Sequence, residues 1–160
     1  MRHAEKPAND AEIHLSEVGQ QRARALASWA TNSPAWGTNE IPSAVFACQP
    51  TIKAPSLRAS ETITPLAEKL HLPIQMPFPA KDPSALAKRI LSDPKLKGKT
   101  VIICWARDEL PELAASLGVK SGAAKWGKNV FNRAWVITFL DSGPILKEIS
   151  QNLLPADSPR

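Results

Sequence analysis

Short, continuous apolar runs alternate with amphipathic stretches along this chain. The segments 43–48 and 100–105 are largely apolar, which is typical of buried strands in a parallel sheet, and the apolar segment 134–140 is predicted as a third strand. Between them, apolar residues recur at helical spacing in segments that begin near 16, 58, 84 and 111. This alternation predicts an α/β fold, a three-layer sandwich whose mainly parallel central sheet is flanked by helices.

Local signals set the ends of the predicted elements. Ser16 is a good N-cap for the first helix, which we expect to run to about Ala30. The second helix is expected to end near His71, before a proline, and the last one at Gly118. The segment 145–154 fits either an edge strand or a helix, and we favour a strand.

Composition limits the domain organisation and the class of partner. With 160 residues, of which 43% are apolar, the chain is expected to form a single domain over residues 1–154, followed by a flexible tail at 155–160. No run approaches the roughly 18 to 20 apolar residues that span a bilayer, and the start is not signal-like, so we expect a cytoplasmic protein without a membrane partner. The net charge of +5 is spread along the chain, which suits a small anionic ligand without requiring nucleic acid.

Cysteine and histidine usage gives no sign of a metal site. Cys48 and Cys104 lie in apolar, strand-like runs, so free thiols are expected rather than a disulfide. The three histidines are widely spaced, and His14 and His71 are expected to be structural or surface residues. We therefore predict no metal and no cofactor.

The pair Arg2 and His3 carries the clearest chemistry. A neutral imidazole beside a fixed guanidinium is suited to attack on a phosphoryl group. A phosphoryl group in transfer carries charge on three oxygens, so several cationic donors must surround the nucleophile. Arg58, near the predicted carboxyl end of a strand, is the natural second clamp.

Three motifs occur in a specific order: Arg-His-Ala-Glu-Lys-Pro at 2–7, Leu-Ser-x-x-Gly-x-x-Arg-Ala at 15–23, and Ser-Leu-Arg-Ala-Ser-Glu-Thr at 56–62. Together they resemble the histidine phosphatase (phosphoglycerate mutase-like) superfamily, and segments 98–105, 110–114 and 126–137 resemble a small bacterial subgroup of it. The resemblance implies a phosphomonoester hydrolase in which His3 is transiently phosphorylated while Arg2 and Arg58 bind the phosphoryl group. A non-catalytic member that binds a phosphorylated ligand or a protein partner is the alternative, and nonspecific binding of polyanions is a third hypothesis.

The chain departs from the family pattern at the second histidine. Arg107 aligns best with that position, and a one-residue shift would place Ala106 there. Arginine keeps a positive charge and hydrogen-bond donors, so ligand binding is expected to survive. It is longer and permanently protonated, however, and loss of one preorganised donor lowers a rate by about 100-fold to 1000-fold.

A second departure lies at the start of the chain. The family has an apolar strand before its Arg-His motif, whereas only Met1 precedes the motif here. We expect a gene-start error or a truncated chain to account for this. If the chain does begin at Met1, catalysis is disfavoured, because that strand aims the nucleophile.

The sequence leaves more than one candidate for the general acid and for the remaining ligand contacts. Asp108 follows the substituted position and is the first candidate for the acid, with Glu5 and Glu61 as alternatives; a solvated carboxylate that caps the next helix is an equally good interpretation. Arg107 fits either a ligand contact or an ion pair with a neighbouring carboxylate. Substrate-binding roles are predicted for Arg107, Trp105 and Glu5. The expected ligand is a phosphorylated small molecule or phosphoprotein, with phosphate or sulfate able to occupy the pocket.

Overall fold

The computed structural model describes residues 1–9, 11–32 and 41–157. Within these residues the helices are α1 (Glu17–Asn32), α2 (Arg58–Leu70), α3 (Pro83–Ser92) and α4 (Leu110–Ser116). The strands are β1 (Ala44–Ala47), β2 (Ile74–Gln75), β3 (Val101–Cys104), β4 (Arg133–Leu140) and β5 (Gly143–Ser150). Short 3-10 turns occupy Pro94–Leu96 and Arg107–Glu109.

The central sheet is parallel and has the strand order β2-β1-β3. Met1 and Arg2 lie along the free edge of β3: the backbone nitrogen of Met1 donates to the carbonyl of Ile103 at 2.8 Å. The amide of Trp105 then donates to the carbonyl of Met1 at 3.0 Å, and Arg2 pairs with Trp105 in parallel. This pairing places His3 beyond the carboxyl end of β3, where ligands of parallel sheets sit.

Alternating side chains of the strands build a core on each face of the sheet. Val45 and Ala47 of β1 pack with buried residues of α1 and α2. Phe46, between them in sequence, packs on the opposite side with buried residues of α3 and α4. Because successive strand residues point to opposite faces, one apolar run serves both layers. The predicted three-layer α/β architecture is confirmed.

The elements end where the local signals placed them. His71 follows α2 in the left-handed region with φ 54°, and its amide donates to the carbonyl of Glu68 at 3.1 Å. Gly118 follows α4 with φ 95°, a conformation that glycine adopts without strain. The segment that fitted either a strand or a helix forms β5, which pairs with β4 in an antiparallel hairpin.

Asp157 connects the C-terminal segment to the rest of the fold. Asp157 accepts hydrogen bonds from the amides of Leu153 and Leu154 at 2.8 and 3.0 Å. Its carboxylate also pairs with Arg22 on α1 at 2.8 Å. The boundary after 154 and the flexible tail stay predictions, and residues 158–160 of that tail lie outside the described residues.

Two further expectations concern membranes and thiols. No helix in the described ranges is both long enough and apolar enough to cross a membrane. Cys48 and Cys104 are free, and Cys104 is fully buried. Burial raises the pKa of the Cys104 thiol to about 12, so this cysteine is a core residue without nucleophilic character at neutral pH.

Candidate active site

His3 lies where the chain leaves the edge of β3, and its Nδ1 is 2.6 Å from the backbone carbonyl oxygen of Ala4. Because a carbonyl oxygen accepts and cannot donate, Nδ1 carries the proton of the neutral ring and Nε2 keeps its lone pair. Burial lowers the pKa of His3 to about 4, against the opposing effect of the Ala4 carbonyl. Three nearby cations act in the same direction as burial: Arg2, Arg58 and Lys6. The imidazole is therefore neutral at pH 7, as a nucleophile must be.

Arg2 is 6% exposed and is held by neutral acceptors. Its Nη1 donates to the backbone carbonyls of Gly127, Lys128 and Val130 at 3.3, 2.6 and 3.2 Å. Its Cζ lies 3.9 Å from the centroid of the Phe131 ring, a cation–π arrangement. Burial is the main cause that lowers the pKa of Arg2, to about 10, so the guanidinium stays charged at pH 7. Its Nε is buried without a hydrogen-bond partner among the described residues.

Arg58 begins α2, so it sits beyond the carboxyl end of β1. Its Nε donates to the hydroxyl of Ser56 at 2.9 Å, and its Nη1 is buried with no partner in the described part of the chain. Burial lowers the pKa of Arg58, and Glu61 opposes that shift. Across the described ranges, neither Arg58 nor Arg2 forms an ion pair with a carboxylate. Their charges thus remain available to an anion.

Arg107 and Asp108 form an ion pair with each other. The Nε and Nη2 of Arg107 donate to the two carboxylate oxygens of Asp108, both at 2.9 Å. The Asp108 side chain is 61% exposed. Both charges lie close enough to Arg2 to affect its pKa, Arg107 lowering it and Asp108 raising it. Arg107 was expected either to contact the ligand or to pair with a neighbouring carboxylate, and in the structure it pairs with Asp108.

Residues of the second motif, at 15–23, hold the backbone of the loop that follows His3. Ser16 donates to the carbonyl oxygen of Glu5 through its amide at 3.0 Å and through its hydroxyl at 3.2 Å. The same hydroxyl accepts from the amide of Gly19 at 3.1 Å and so caps α1. A Cβ at Gly19 would lie 2.3 Å from the Glu5 carbonyl oxygen, so only glycine permits this approach. The spacing of Ser16 and Gly19 in this motif therefore holds the backbone at Glu5, two residues after His3.

Arg22 of the same motif binds the carboxylate of Glu5. Its Nε and Nη2 donate to Glu5 Oε1 at 2.9 and 2.6 Å, while Nη1 and Nη2 each donate to Asp157 at 2.8 Å. Arg22 is 6% exposed, so this is a nearly buried three-residue network. Both carboxylate oxygens of Glu5 therefore bind Arg22, whereas the sequence predicted that Glu5 contacts the substrate.

Other residues predicted at the site are also engaged elsewhere. Trp105 is fully buried, and its indole nitrogen donates to the carbonyl of Ala80 at 2.9 Å. The structure therefore places Trp105 in the core rather than on a surface that a ligand can reach. Glu61, an alternative for the general acid, accepts from the amide of Leu15 at 2.8 Å and pairs with the exposed His14 at 2.5 Å.

The segment 49–55 lies between β1 and Arg58 and forms an open depression of about 580 Å³. Its lining residues are Gln49, Pro50, Thr51, Ile52, Lys53 and Pro55. The depression is shallow and open, and Arg2, His3 and Arg58 do not line it. Within the described ranges, no group of histidine, cysteine or acidic residues is arranged to hold a metal ion.

Comparison with known proteins identifies the fold. No protein-family model and no curated protein matches the chain. Among solved structures, the chain is similar to the protein histidine phosphatase SixA, determined in complex with tungstate, with a TM-score of 0.60 over 94% of each chain. The chain has the histidine phosphatase (phosphoglycerate mutase-like) fold. Sequence identity is 17%, so the similarity confirms the resemblance for the fold alone.

In this histidine phosphatase fold, three residues that the sequence did not mark as site residues contact Arg2, Arg58 or the backbone next to His3. The Phe131 ring lies under Arg2, and its centroid is 6.5 Å from that of His3. The hydroxyls of Ser56 and Thr62 bond to Arg58 and to the backbone after His3. The two hydroxyls could have been predicted near the site, because both lie in the motif that carries Arg58. No local pattern indicates that Phe131 contacts Arg2, which is far away in the sequence.

Proposed function

We propose that the protein is a phosphomonoester hydrolase that acts through a phosphohistidine at His3. The observation that supports this most directly is the state of His3, a neutral imidazole with its proton fixed on Nδ1. It is flanked by two arginines that form no ion pair with any described residue. That arrangement combines a nucleophile with anion binding, which are the two requirements of phosphoryl transfer. SixA was determined with tungstate, a tetrahedral oxyanion like phosphate, which agrees with an oxyanion site in this fold.

In the first half-reaction, Nε2 of His3 attacks the phosphorus and the bond between phosphorus and the ester oxygen breaks. Arg2 and Arg58 bind the equatorial oxygens, on which negative charge is carried in the transition state. The proton stays on Nδ1 and keeps its hydrogen bond to the Ala4 carbonyl, which stabilises the ring as it gains positive charge. The leaving oxygen takes a proton and departs as an alcohol.

We propose Asp108 as the group that supplies this proton, from a carboxyl group that is protonated and released from Arg107 when the substrate is bound. Of the carboxyl candidates, Glu5 is bound by Arg22 in a nearly buried network and Glu61 holds a loop amide, whereas Asp108 is in an exposed pair. In the second half-reaction, the same carboxylate takes a proton from water as the water attacks phospho-His3. The nitrogen–phosphorus bond breaks, phosphate leaves, and Nε2 recovers its lone pair.

A non-catalytic phosphate-binding protein is the second candidate. The observation in its favour is the ion pair of Arg107 with Asp108, because it occupies the position where the resembled family has its second histidine. In that case Arg2 and Arg58 bind a phosphorylated ligand, and no turnover follows. Calorimetric binding of tungstate without hydrolysis of any aryl phosphate is the result that this candidate predicts.

The test is turnover of a generic aryl phosphate by the full chain and three variants. His3→Ala should abolish turnover, whereas His14→Ala, which changes an exposed histidine, should retain it. Arg107→His should increase turnover, because it frees Asp108 and restores a donor whose loss lowers a rate by about 100-fold to 1000-fold. Turnover that is equal in the His3→Ala variant and the unsubstituted protein would refute the proposed mechanism. Absence of turnover in every folded variant would favour the binding protein.

A further inference from the structure

Thr62 connects the nucleophile to the arginine on the neighbouring helix. It lies on the inner face of α2, is 2% exposed, and is one turn after Arg58. Its Oγ1 accepts a hydrogen bond from the amide of Ala4 at 2.8 Å. The same hydroxyl donates to the carbonyl of Arg58 at 2.7 Å. One buried hydroxyl therefore joins the residue after His3 to the first turn of the helix that presents Arg58.

The Ala4 residue bound by Thr62 also fixes the imidazole. Its amide donates to Thr62, and its carbonyl accepts the Nδ1 proton of His3 at 2.6 Å. The hydrogen bonds thus form a continuous series from His3 through Ala4 and Thr62 to the backbone of Arg58. Such a series strengthens each of its bonds, and a buried donor left without an acceptor costs free energy.

We propose that Thr62 is a positioning residue that sets the tautomer of His3 and its spacing from Arg58. The hydroxyl fixes the orientation of Ala4, the Ala4 carbonyl keeps the proton on Nδ1, and Nε2 is left as the nucleophile. The hydrogen bond from Thr62 to the Arg58 carbonyl keeps the first turn of α2, which carries Arg58, at a fixed distance from His3. The kinetic part of this inference rests on the proposed phosphohistidine chemistry, whereas the tautomer does not.

Thr62→Val removes the hydroxyl while nearly preserving the shape of the side chain. The amide of Ala4 then lacks its buried acceptor and is expected to turn toward another one, which displaces the carbonyl that fixes the ring. A displacement of about 1 Å at reacting groups lowers a rate by about 100-fold, so we expect kcat to fall by roughly 10-fold to 100-fold. Tungstate inhibition should change by a smaller factor, because Arg58 keeps its bond to Ser56.

The chain offers a matched control on the same helix. Thr64 lies two residues after Thr62, and its hydroxyl donates to the carbonyl of Ser60, a residue of the same helix, at 2.9 Å. Thr64→Val should leave kcat and the His3 tautomer unchanged. Thr62→Ser, which keeps the hydroxyl, should restore most of the kcat that Thr62→Val loses.

The decisive readout is the ring-nitrogen spectrum of the protein labelled with ¹⁵N-histidine, in which the His3 signals are assigned by their loss in His3→Ala. The unsubstituted protein at pH 7 should show the proton on Nδ1, and Thr62→Val should populate the Nε2-protonated form. A proton on Nε2 in the unsubstituted protein, or a Thr62→Val ring that stays Nδ1-protonated with normal kcat, would overturn the inference.

A third measurement applies if Thr62→Val does not fold. The amide of Ala4 in the unsubstituted protein should be strongly protected from hydrogen exchange, and rapid exchange there would overturn the inference. The spectra also separate this inference from the proposed function. Without turnover, a tautomer that responds to Thr62→Val supports the positioning role while the proposed hydrolase fails.

Discussion

Arg22 offers a quantitative test of how the loop after the nucleophile is held. Its side chain is 7% exposed and lies between the carboxylates of Glu5 and Asp157, which are 19% and 6% exposed. Arg22→Met keeps an apolar stem but leaves two carboxylates together without their cation. Removing one partner of a buried ion pair destabilises a protein by about 3–5 kcal/mol. Since 1 kcal/mol shifts Tm by roughly 2–4 °C in a chain of this size, we expect Tm to fall by roughly 6–20 °C.

Thermal unfolding followed by circular dichroism at pH 7 measures this effect. Arg24→Met is the control, because Arg24 is an exposed residue on the same helix and its substitution should change stability by no more than about 0.5 kcal/mol. A Tm for Arg22→Met that equals that of the control would refute the reasoning. So would strictly additive effects of Arg22→Met and Asp157→Asn, since residues in one network couple by about 0.5–3 kcal/mol.

The pH dependence of the same variant checks the sign of the interaction. The hydrogen bonds from Arg22 lower the pKa of Asp157 below its ordinary value of 3.8. The folded state therefore binds fewer protons than the unfolded state, and this contribution is present above pH 3.8 and is lost as the pH falls through the lowered pKa. The gap in stability between the unsubstituted protein and Arg22→Met should narrow in that range. A gap that widens toward low pH would contradict the assignment.

Three further outcomes are expected. Gly19→Ala places a Cβ 2.3 Å from the carbonyl oxygen of Glu5 and should lower kcat/KM by roughly 10-fold to 100-fold in an aryl phosphate assay, where an unchanged value would contradict this role of the second motif. Because the pKa of His3 is about 4, the acid limb of kcat/KM should lie near that pH, and a limb at the ordinary histidine value of 6.5 would argue against the buried, cation-flanked ring. Phe131→Leu removes a cation–π contact worth about 0.5–2 kcal/mol and should weaken tungstate inhibition by roughly 2-fold to 30-fold, whereas Phe139→Leu, on the exposed hairpin, should not.

The elements of the fold were predictable because their signals are local. Helices cover both faces of β3, so consecutive residues of this strand are buried on opposite sides. The sequence around β3 is therefore a continuous apolar run. The burial of Trp105 was predictable on the same basis, although its position at the strand end suggested a ligand contact. It shares the period-two register of Ile103 and Val101, which pack toward α3 and α4.

The interactions that complete the site were not predictable, because they join distant segments through groups without a sequence signal. Arg22 and Asp157 are separated by 135 positions, and a single aspartate near the C-terminus carries no mark of its partner. The carbonyls that hold Arg2 belong to an irregular segment before β4 and are backbone atoms present in every residue. The motif order predicted candidate side chains for the site, but only the fold determines which of them are already paired.

In the proposed hydrolase, the pairing of the arginines would let one pocket bind an anion and keep the imidazole of His3 unprotonated. Arg107 is paired with a carboxylate, so a phosphate must compete for it, whereas Arg2 and Arg58 are held by neutral acceptors and keep their full charge. The same two cations lower the pKa of His3, so they favour the neutral ring before the ligand arrives. A bound phosphate offsets their charge, and the pKa of His3 must therefore rise in the complex. It follows that the acid limb of kcat, which reports the complex, should lie at higher pH than that of kcat/KM, which reports the free protein.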